Sequence, residues 1–473
     1  MRGVASATRP PGPSRSTSRH RACIERQNPL EARGDGALAP KRIGTVTWPA
    51  SEVHAFRARW VLPVQSPPIR DGIVAIADSA IVYVGTDRGD DQADDRPTDL
   101  GDVAILPGLV NAHTHLEFSD LDAPLGQPGM PFTQWIATVV QHRRQQDAED
   151  SRSVGAAIRR GIAESLRLGV TMLGEIATSP WPWDQVSDQP IGGVVFRELL
   201  GLSSERIASQ GGLASAHLQP GGWGDVWRAG LSPHAPYSVH PELLSRVVDL
   251  AKRADVPLAM HLAETREELQ LLASHDGPFV PLLRQLGVWD PGVLPIGRRP
   301  LDYLRVLAQA PRVLVIHGNY LADDEIDFLS DRADRMSVVY CPRTHRYFQH
   351  EPYPLARMIS AGVRIALGTD SRSSSPDLSL LAEMRQVAAD HVEIAPEQIL
   401  RMATIHGARA LGGESNTGTL VAGGPADLTV VGLPAGQRDP YSWLFDASTR
   451  VLATVCRGKL AAGSFDGNAD FPP

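Results

Sequence analysis

Two histidines one residue apart, His113 and His115, sit in the stretch LPGLVNAHTHLEF. The apolar run Val103–Leu109 leads into them, so they fall at the end of a buried strand. Side chains two apart on a strand point to the same side. Two imidazoles on one side of an exposed strand end can hold one metal ion. Polar residues close later apolar runs in the same way: His234 in LSPHAPYSVH, His261 and Glu264 around HLAE, His317 in VIHGN and Asp370 in LGTDS. Three imidazoles and a carboxylate can fill the sphere of a divalent metal and leave room for water. Taken singly, each residue has an ordinary structural role open to it. Asp370 could cap a helix, Glu264 could sit at a helix start where the dipole favours a carboxylate, and His234 could bond a loop carbonyl. Taken together, at strand ends pointing to one rim, they read as a site.

Such a rim requires parallel strands separated by helices. Apolar runs predict strands at Ala104–Ala112, Val170–Ile176, Gly192–Leu200, Gly230–Pro233, Pro257–His261, Arg312–His317, Met336–Cys341 and Arg364–Gly368. Helical periodicity lies between or after them, as in Gly155–Leu168, Pro241–Arg253 and Leu378–His391. Eight strands with helical crossovers predict an α/β fold, a (β/α)8 TIM barrel, whose active site lies at the C-terminal ends of the strands. A doubly wound sheet is the competing layout, but neither GxGxxG nor GxxxxGK[ST] follows any strand. Residues 269–304 are longer than a simple crossover and predict a partial lid. Both chain ends read instead as strand–turn–strand, in residues 55–84 and in GTLVAGGPADLTVVGLP and TRVLATVCRGKLAAG. The expected layout is therefore a basic tail over 1–42, a small β-sandwich from 43–106 and 412–473, and a catalytic barrel over 107–411.

Composition bounds the function further. Hydrophobic residues make up 42% and charged residues 21%, ordinary for a globular protein. No apolar stretch reaches the ~18 to 20 residues that span a bilayer, and no secretory apolar segment stands at the N-terminus. Cys23, Cys341 and Cys456 show no CxxC spacing, so disulfides are not expected and the cytoplasm is the default compartment. Residues 1–42 hold nine Arg/Lys against three Asp/Glu, a balance of +6, so within a net charge of −8 the rest of the chain carries −14. An acidic body argues against nucleic acid as the main partner. The tail itself, rich in Pro, Ser, Gly and Arg, reads as disorder or as sequence upstream of the true start. Neither a membrane nor nucleic acid is expected as partner; a small molecule is, with a homodimer open.

HTH on strand one, HxxE on strand five, His on strand six and TDS on strand eight together resemble the amidohydrolase superfamily. HxxE narrows the resemblance to its mononuclear aminohydrolase branch, with nucleobase and nucleoside deaminases and related chlorohydrolases. It covers residues 55–463. Many relatives with two metals need a carboxylated lysine on strand four; Lys41, Lys252 and Lys459 are the only lysines here and none falls there, so one metal is expected unless a Glu or Cys bridges instead. The resemblance implies one divalent metal, zinc first and Fe2+ or Mn2+ as alternatives, on His113, His115, His261 and Asp370. It implies catalytic roles for Glu264 as proton shuttle, His317 as donor to the developing oxygen, and Asp370 as acceptor of the water proton. By the same resemblance, SPHAPYS implies that His234 faces a nucleoside and FTQWI that Trp135 lies beneath it, with a core position for Trp135 equally open. Arg197 in FRELLG and Arg343 in CPRTHRYF (a departure from the commoner CPxSN) suggest an anionic substrate group, because guanidinium pairs well with carboxylate; ordinary rim residues paired with acids are the alternative. NAHTHLEF, PHAPYS, HLAE and CPRTHRYF together look most like aminodeoxyfutalosine deaminase-type members, which act in menaquinone synthesis. The implied reaction replaces the amine of 6-aminodeoxyfutalosine by carbonyl. S-adenosylhomocysteine or methylthioadenosine deamination, a chlorohydrolase and a non-catalytic scaffold are the alternatives.

Overall fold

The structure, a computed structural model, describes residues 53–86, 97–149, 151–219, 223–224, 226–434 and 439–465. The expected tail over 1–42 lies outside the described residues, as do residues 87–96. Eight parallel strands follow one another round a barrel: β1 (Leu109–Thr114), β2 (Val170–Ala177), β3 (Gly192–Leu199), β4 (Trp227–Pro233), β5 (Leu258–Leu262), β6 (Val313–His317), β7 (Met336–Tyr340) and β8 (Arg364–Leu367). A parallel bridge between Thr114 and Asp370 joins the first strand to the segment after the last.

Two-residue alternation divides each strand between two apolar layers. Val110, Met172, Val194, Phe196, Ala259, Leu314, Ile316 and Val339 fill the inside of the barrel. Leu173, Val195, Leu231, Met260, Val315, Val338 and Ile365 face outward into the larger core shared with the helices. Phe196 is fully buried; cutting such a side chain to Ala costs about 3–5 kcal/mol.

The helix Pro241–Ala254 illustrates how the covering layer forms. Proline at its first position supplies a preset φ. His240 accepts a hydrogen bond from the Glu242 amide, and Asp255 ends the helix in the left-handed region at φ 52. Leu243, Leu244, Val247, Val248 and Ala251 make one buried stripe at helical spacing. The helices expected at Gly155–Leu168 and Leu378–His391 occupy Ser151–Arg167 and Leu380–Asp390.

One expected strand divides. Ala104–Ala112 is two strands meeting at Gly108: Val103–Pro107 belongs to the terminal sheet and only β1 belongs to the barrel. A continuous apolar run hides this change of partner, because both halves are buried on both faces. A Cβ at Gly108 would collide with the Thr171 side chain, and its amide donates to Asp427 O at 2.8 Å. The chain can turn from one sheet to the other only where no side chain intervenes.

The terminal segments form one mixed sheet in the order Lys459–Gly463, Val451–Cys456, Leu428–Gly432, Val103–Pro107, Val53–Val61, Ile69–Ala77, Ala80–Gly85, with Thr98–Asp99 beside Val53–Val61. Phe56, Val74, Ile81, Ile105, Val430 and Val455 pack into its own core. Residues from both ends of the chain thus complete a β unit flanking the barrel. No helix among the described residues is long and apolar enough to cross a membrane.

Candidate active site

Backbone bonds at the closure of the barrel bring the first and last chemical groups together. Thr369 and Asp370 amides donate to His113 O at 3.1 and 3.2 Å, and the His115 amide donates to Asp370 O at 3.0 Å. The buried Asn111 side chain ties the same seam, donating to Thr369 Oγ1 at 2.7 Å and accepting from the Thr369 amide at 3.1 Å. Gly368 is required there: a Cβ would stand 2.9 Å from His113 Cβ. Beyond β1, the Leu116 amide donates to both oxygens of Glu175 at 3.1 Å, which fixes the turn after His115. Burial pushes the Glu175 carboxyl well up.

The other groups arrive on strained turns. Ala263, His317 and Asp370 have φ of 53, 66 and 56, the left-handed region that non-glycine residues avoid. Surrounding bonds hold these turns. The Glu268 carboxyl accepts from the Ala263 and Glu264 amides, both at 2.9 Å, and Asn319 donates to Glu264 O at 2.9 Å.

Four imidazoles and one carboxylate converge. Ring centroids lie 4.9 Å apart for His113–His115, 5.0 Å for His113–His261, 5.5 Å for His115–His261 and 5.5 Å for His261–His317. Ligand atoms of His113, His115 and Asp370 all lie within 4.8 Å of one another, as do those of His113, His261 and His317. Asp370 Oδ1 is 3.4 Å from His113 Nε2 and 3.6 Å from His115 Nε2. Its Oδ2 is held from behind by Ser374 Oγ at 2.7 Å and Thr344 Oγ1 at 3.3 Å.

These residues fit a divalent cation. Both ring nitrogens of His113 and Nδ1 of His115 are buried with no hydrogen-bond partner among the described residues, an arrangement that costs free energy unless something accepts their lone pairs. Metal binding needs neutral imidazoles and an ionised carboxylate. Burial, then the neighbouring His113, pushes His115 down to about 3, and burial holds His317 at about 3 and His261 well below its ordinary value. Burial alone would raise Asp370, but the adjoining His113 and His115 hold it below the usual carboxylate range. His261 Nδ1 lies 3.1 Å from His234 O, which leaves Nε2 for a ligand bond.

Glu264 faces this cluster, with Oε1 3.3 Å from His317 Nε2. Burial, reinforced by the negative charges of Asp370 and Glu268, pushes its carboxyl well up. The two neighbouring carboxyls are thus pushed in opposite directions, Glu264 up and Asp370 down.

Above the cluster opens a cavity of about 380 Å3. Trp135 and His234, both anticipated, line it. Trp135 Nε1 donates to Ser373 O at 3.2 Å, and His234 Nδ1 sits 2.6 Å from Ser238 Oγ. Phe132, Phe279, Leu282 and Leu283 supply apolar walls. The last three come from the segment expected as a lid, which carries the helices Arg266–Ser274, Phe279–Gln285 and Pro300–Leu307.

The two expected substrate arginines stand elsewhere. Arg197 alternates with Phe196 and Glu198 on β3, so it turns away from the barrel interior, and it does not line the cavity. Arg343 is spent on acids: its Nε is 2.5 Å from the buried Glu383 Oε1 and its Nη1 2.8 Å from Asp377 Oδ1. It does not line the cavity either.

The groups missed by sequence reasoning come from these same neighbourhoods. Glu198, adjacent to Arg197, faces the cavity, 3.9 Å from His234 Nε2 and accepting from Thr178 Oγ1 at 2.8 Å. Burial would raise it, but His234 and Arg143 hold it at about 2. Arg143 bridges Glu117 at 2.6 Å and Glu198 at 3.7 Å. Arg144 and Arg206 are exposed lining residues. Two-residue alternation from Phe196 could have found Glu198; nothing local marks the three arginines.

Fold and site together define a (β/α)8 barrel with a candidate divalent-metal cluster at the C-terminal rim of its strands. A model of the amidohydrolase family matches residues 104–461, and the chain belongs to that family as a hydrolase acting on carbon–nitrogen bonds. It is 32% identical over 389 residues to a 5-methylthioadenosine/S-adenosylhomocysteine deaminase of Moorella thermoacetica, spanning 78% of this chain and 83% of that one. It is similar to the crystal structure of Helicobacter pylori aminofutalosine deaminase, with a TM-score of 0.73, 25% identity and coverage of 86% and 100%. An adenosine deaminase from Xanthomonas campestris with bound zinc gives 0.70, 25%, 88% and 94%.

Proposed function

We propose that this protein is a metal-dependent aminohydrolase that replaces the exocyclic amine of an adenine nucleoside by a carbonyl and releases ammonia. The observation that carries this reading is the placement of Glu264, whose carboxyl burial pushes well up, against an imidazole–Asp370 cluster at the polar end of an apolar cavity. When bound on His113, His115, His261 and Asp370, a divalent cation supplies a water molecule acidic enough to lose a proton near neutral pH. Asp370 Oδ1 is the base that faces that position. Glu264 protonates the purine ring nitrogen as the amine-bearing carbon becomes tetrahedral, then passes a proton to the departing amine. Neutral His317 donates to the developing oxygen. The apolar walls exclude bulk water, and Trp135 offers a flat surface to the base. His234 and Glu198 lie where a ribose hydroxyl can be held.

For the substrate, we infer 6-aminodeoxyfutalosine. Arg144 and Arg206 stand at the cavity mouth with no ion-pair partner among the described residues, so they can receive the carboxylate of a 5′ extension. The similarity to an aminofutalosine deaminase supports the same choice. A second reading, methylthioadenosine or S-adenosylhomocysteine, is favoured by the apolar lining of Leu202, Leu286 and Val288 and by the Moorella relative.

The test is ammonia release from these nucleosides by the metal-loaded enzyme. Glu264→Gln is expected to lower kcat by roughly 10²–10⁴-fold with metal content unchanged. Normal turnover by that variant would remove Glu264 from the mechanism, and no ammonia from any adenine nucleoside would end the deaminase reading.

A further inference from the structure

We propose that the Tyr353 hydroxyl is a positioning group for His317. The inference rests on the deaminase reading for its kinetic consequence, but not for its structural one. His317 closes β6 at φ 66 and Gly318 follows at φ 62, so two consecutive residues lie in the left-handed region. The chain turns off the barrel ladder there, and the Gly318 amide reaches back to Leu262 O at 3.1 Å. That turn leaves the His317 carbonyl without a strand partner. Tyr353 Oη donates to it at 2.9 Å.

The donor is itself held rigidly. Tyr353 is 5% exposed, and its ring stacks on Tyr340 of β7 with centroids 3.8 Å apart and planes 13° from parallel. The Leu355 amide bonds Tyr353 O at 2.8 Å just before the helix Leu355–Ala361. A stacked pair anchored in the next strand therefore presses one hydroxyl against the backbone of the residue whose imidazole stands 3.3 Å from Glu264. The strain of a left-handed histidine and the net strength of one buried hydrogen bond are of similar size. Loss of the bond is therefore enough to depopulate the turn and swing the imidazole away from Glu264.

Tyr340 provides the control. Its hydroxyl is buried in the same stack with no hydrogen-bond partner among the described residues. Tyr353→Phe and Tyr340→Phe thus remove chemically identical groups a few ångströms apart, and only the first touches His317. In the metal-loaded full chain, Tyr353→Phe is expected to lower kcat by about tenfold with KM within about twofold, whereas Tyr340→Phe keeps both. Hydrogen exchange read by mass spectrometry supplies a measure independent of turnover: the amides of residues 318–320 should exchange about tenfold faster in Tyr353→Phe and at the parent rate in Tyr340→Phe. Unchanged exchange in Tyr353→Phe, or equal effects of the two variants, overturns the proposal. Absence of ammonia release by the parent protein would instead strike the deaminase reading, and the exchange rates would still decide this one.

Discussion

Replacing Arg343 by alanine separates a structural arginine from a substrate arginine. Its guanidinium is the main partner of Glu383, whose side chain is fully buried, and it also reaches Asp377 Oδ1 and Asp377 O at 2.8 and 2.7 Å. Without it, Glu383 keeps only the residue-343 amide, at 2.9 Å. Breaking a buried pair by removing one partner costs about 3–5 kcal/mol, since the surviving charge has lost its compensation. Burial already pushes the Glu383 carboxyl up while Arg343 opposes it. The variant raises it further. Between the unfolded value near ~4.3 and that raised folded value, the folded chain keeps a proton that the unfolded chain has released, so stability falls by about 1.4 kcal/mol per pH unit as pH rises. The loss is therefore larger at pH 7.5 than at pH 5. Urea midpoints followed by tryptophan fluorescence at the two pH values measure it, and Arg343→Met with Glu383→Leu should recover most of it. KM for a carboxylate-bearing nucleoside should stay within about twofold, as expected of a residue outside the cavity. A tenfold loss of kcat/KM with unchanged midpoints would return Arg343 to the substrate and refute the reasoning.

Arg206→Ala and Arg144→Ala should each raise KM for 6-aminodeoxyfutalosine by about tenfold, the scale of one charge-assisted contact, and leave KM for methylthioadenosine unchanged; equal effects on both substrates would remove the anion contact. Stripping the divalent ion with a chelator should abolish turnover and lower the melting temperature, since an ion at 1,000 times its Kd stabilises by about 4.1 kcal/mol, and zinc should restore both. A chelated protein with full activity would contradict the metal site. Burial holds His406 at about 4 despite its bond to Ile365 O. Because its folded value lies below the unfolded one, it stabilises the fold above about pH 6.5 and that contribution is lost as pH falls toward 4. His406→Gln should flatten this acid limb of a midpoint-against-pH curve; an unaltered slope would show that His406 does not titrate with unfolding.

The barrel was legible because its strands are short apolar runs bounded by polar residues, and seven of the eight lie within a few residues of expectation. The exception, Ala104–Ala112, failed where two buried strands share one apolar run and a glycine exchanges the sheet partner. His113, His115, His261, His317, Glu264 and Asp370 were legible for a related reason: residue order along a parallel strand decides which end it meets. Glu198 follows from the same alternation, two residues beyond Phe196 on the inner face, whereas Arg197 between them lies on the other face.

Sequence by itself determined the candidate site residues and the architecture that gathers them, because strand-end position and period-two alternation are local properties of the chain. Tertiary structure alone decided which cations meet the cavity. Arg343 and Arg206 are alike in type and both follow barrel strands, yet one is spent on buried Glu383 and the other opens on the mouth. An ion pair links residues 40 apart in sequence there, and no local pattern reports which acid a long, flexible side chain will find.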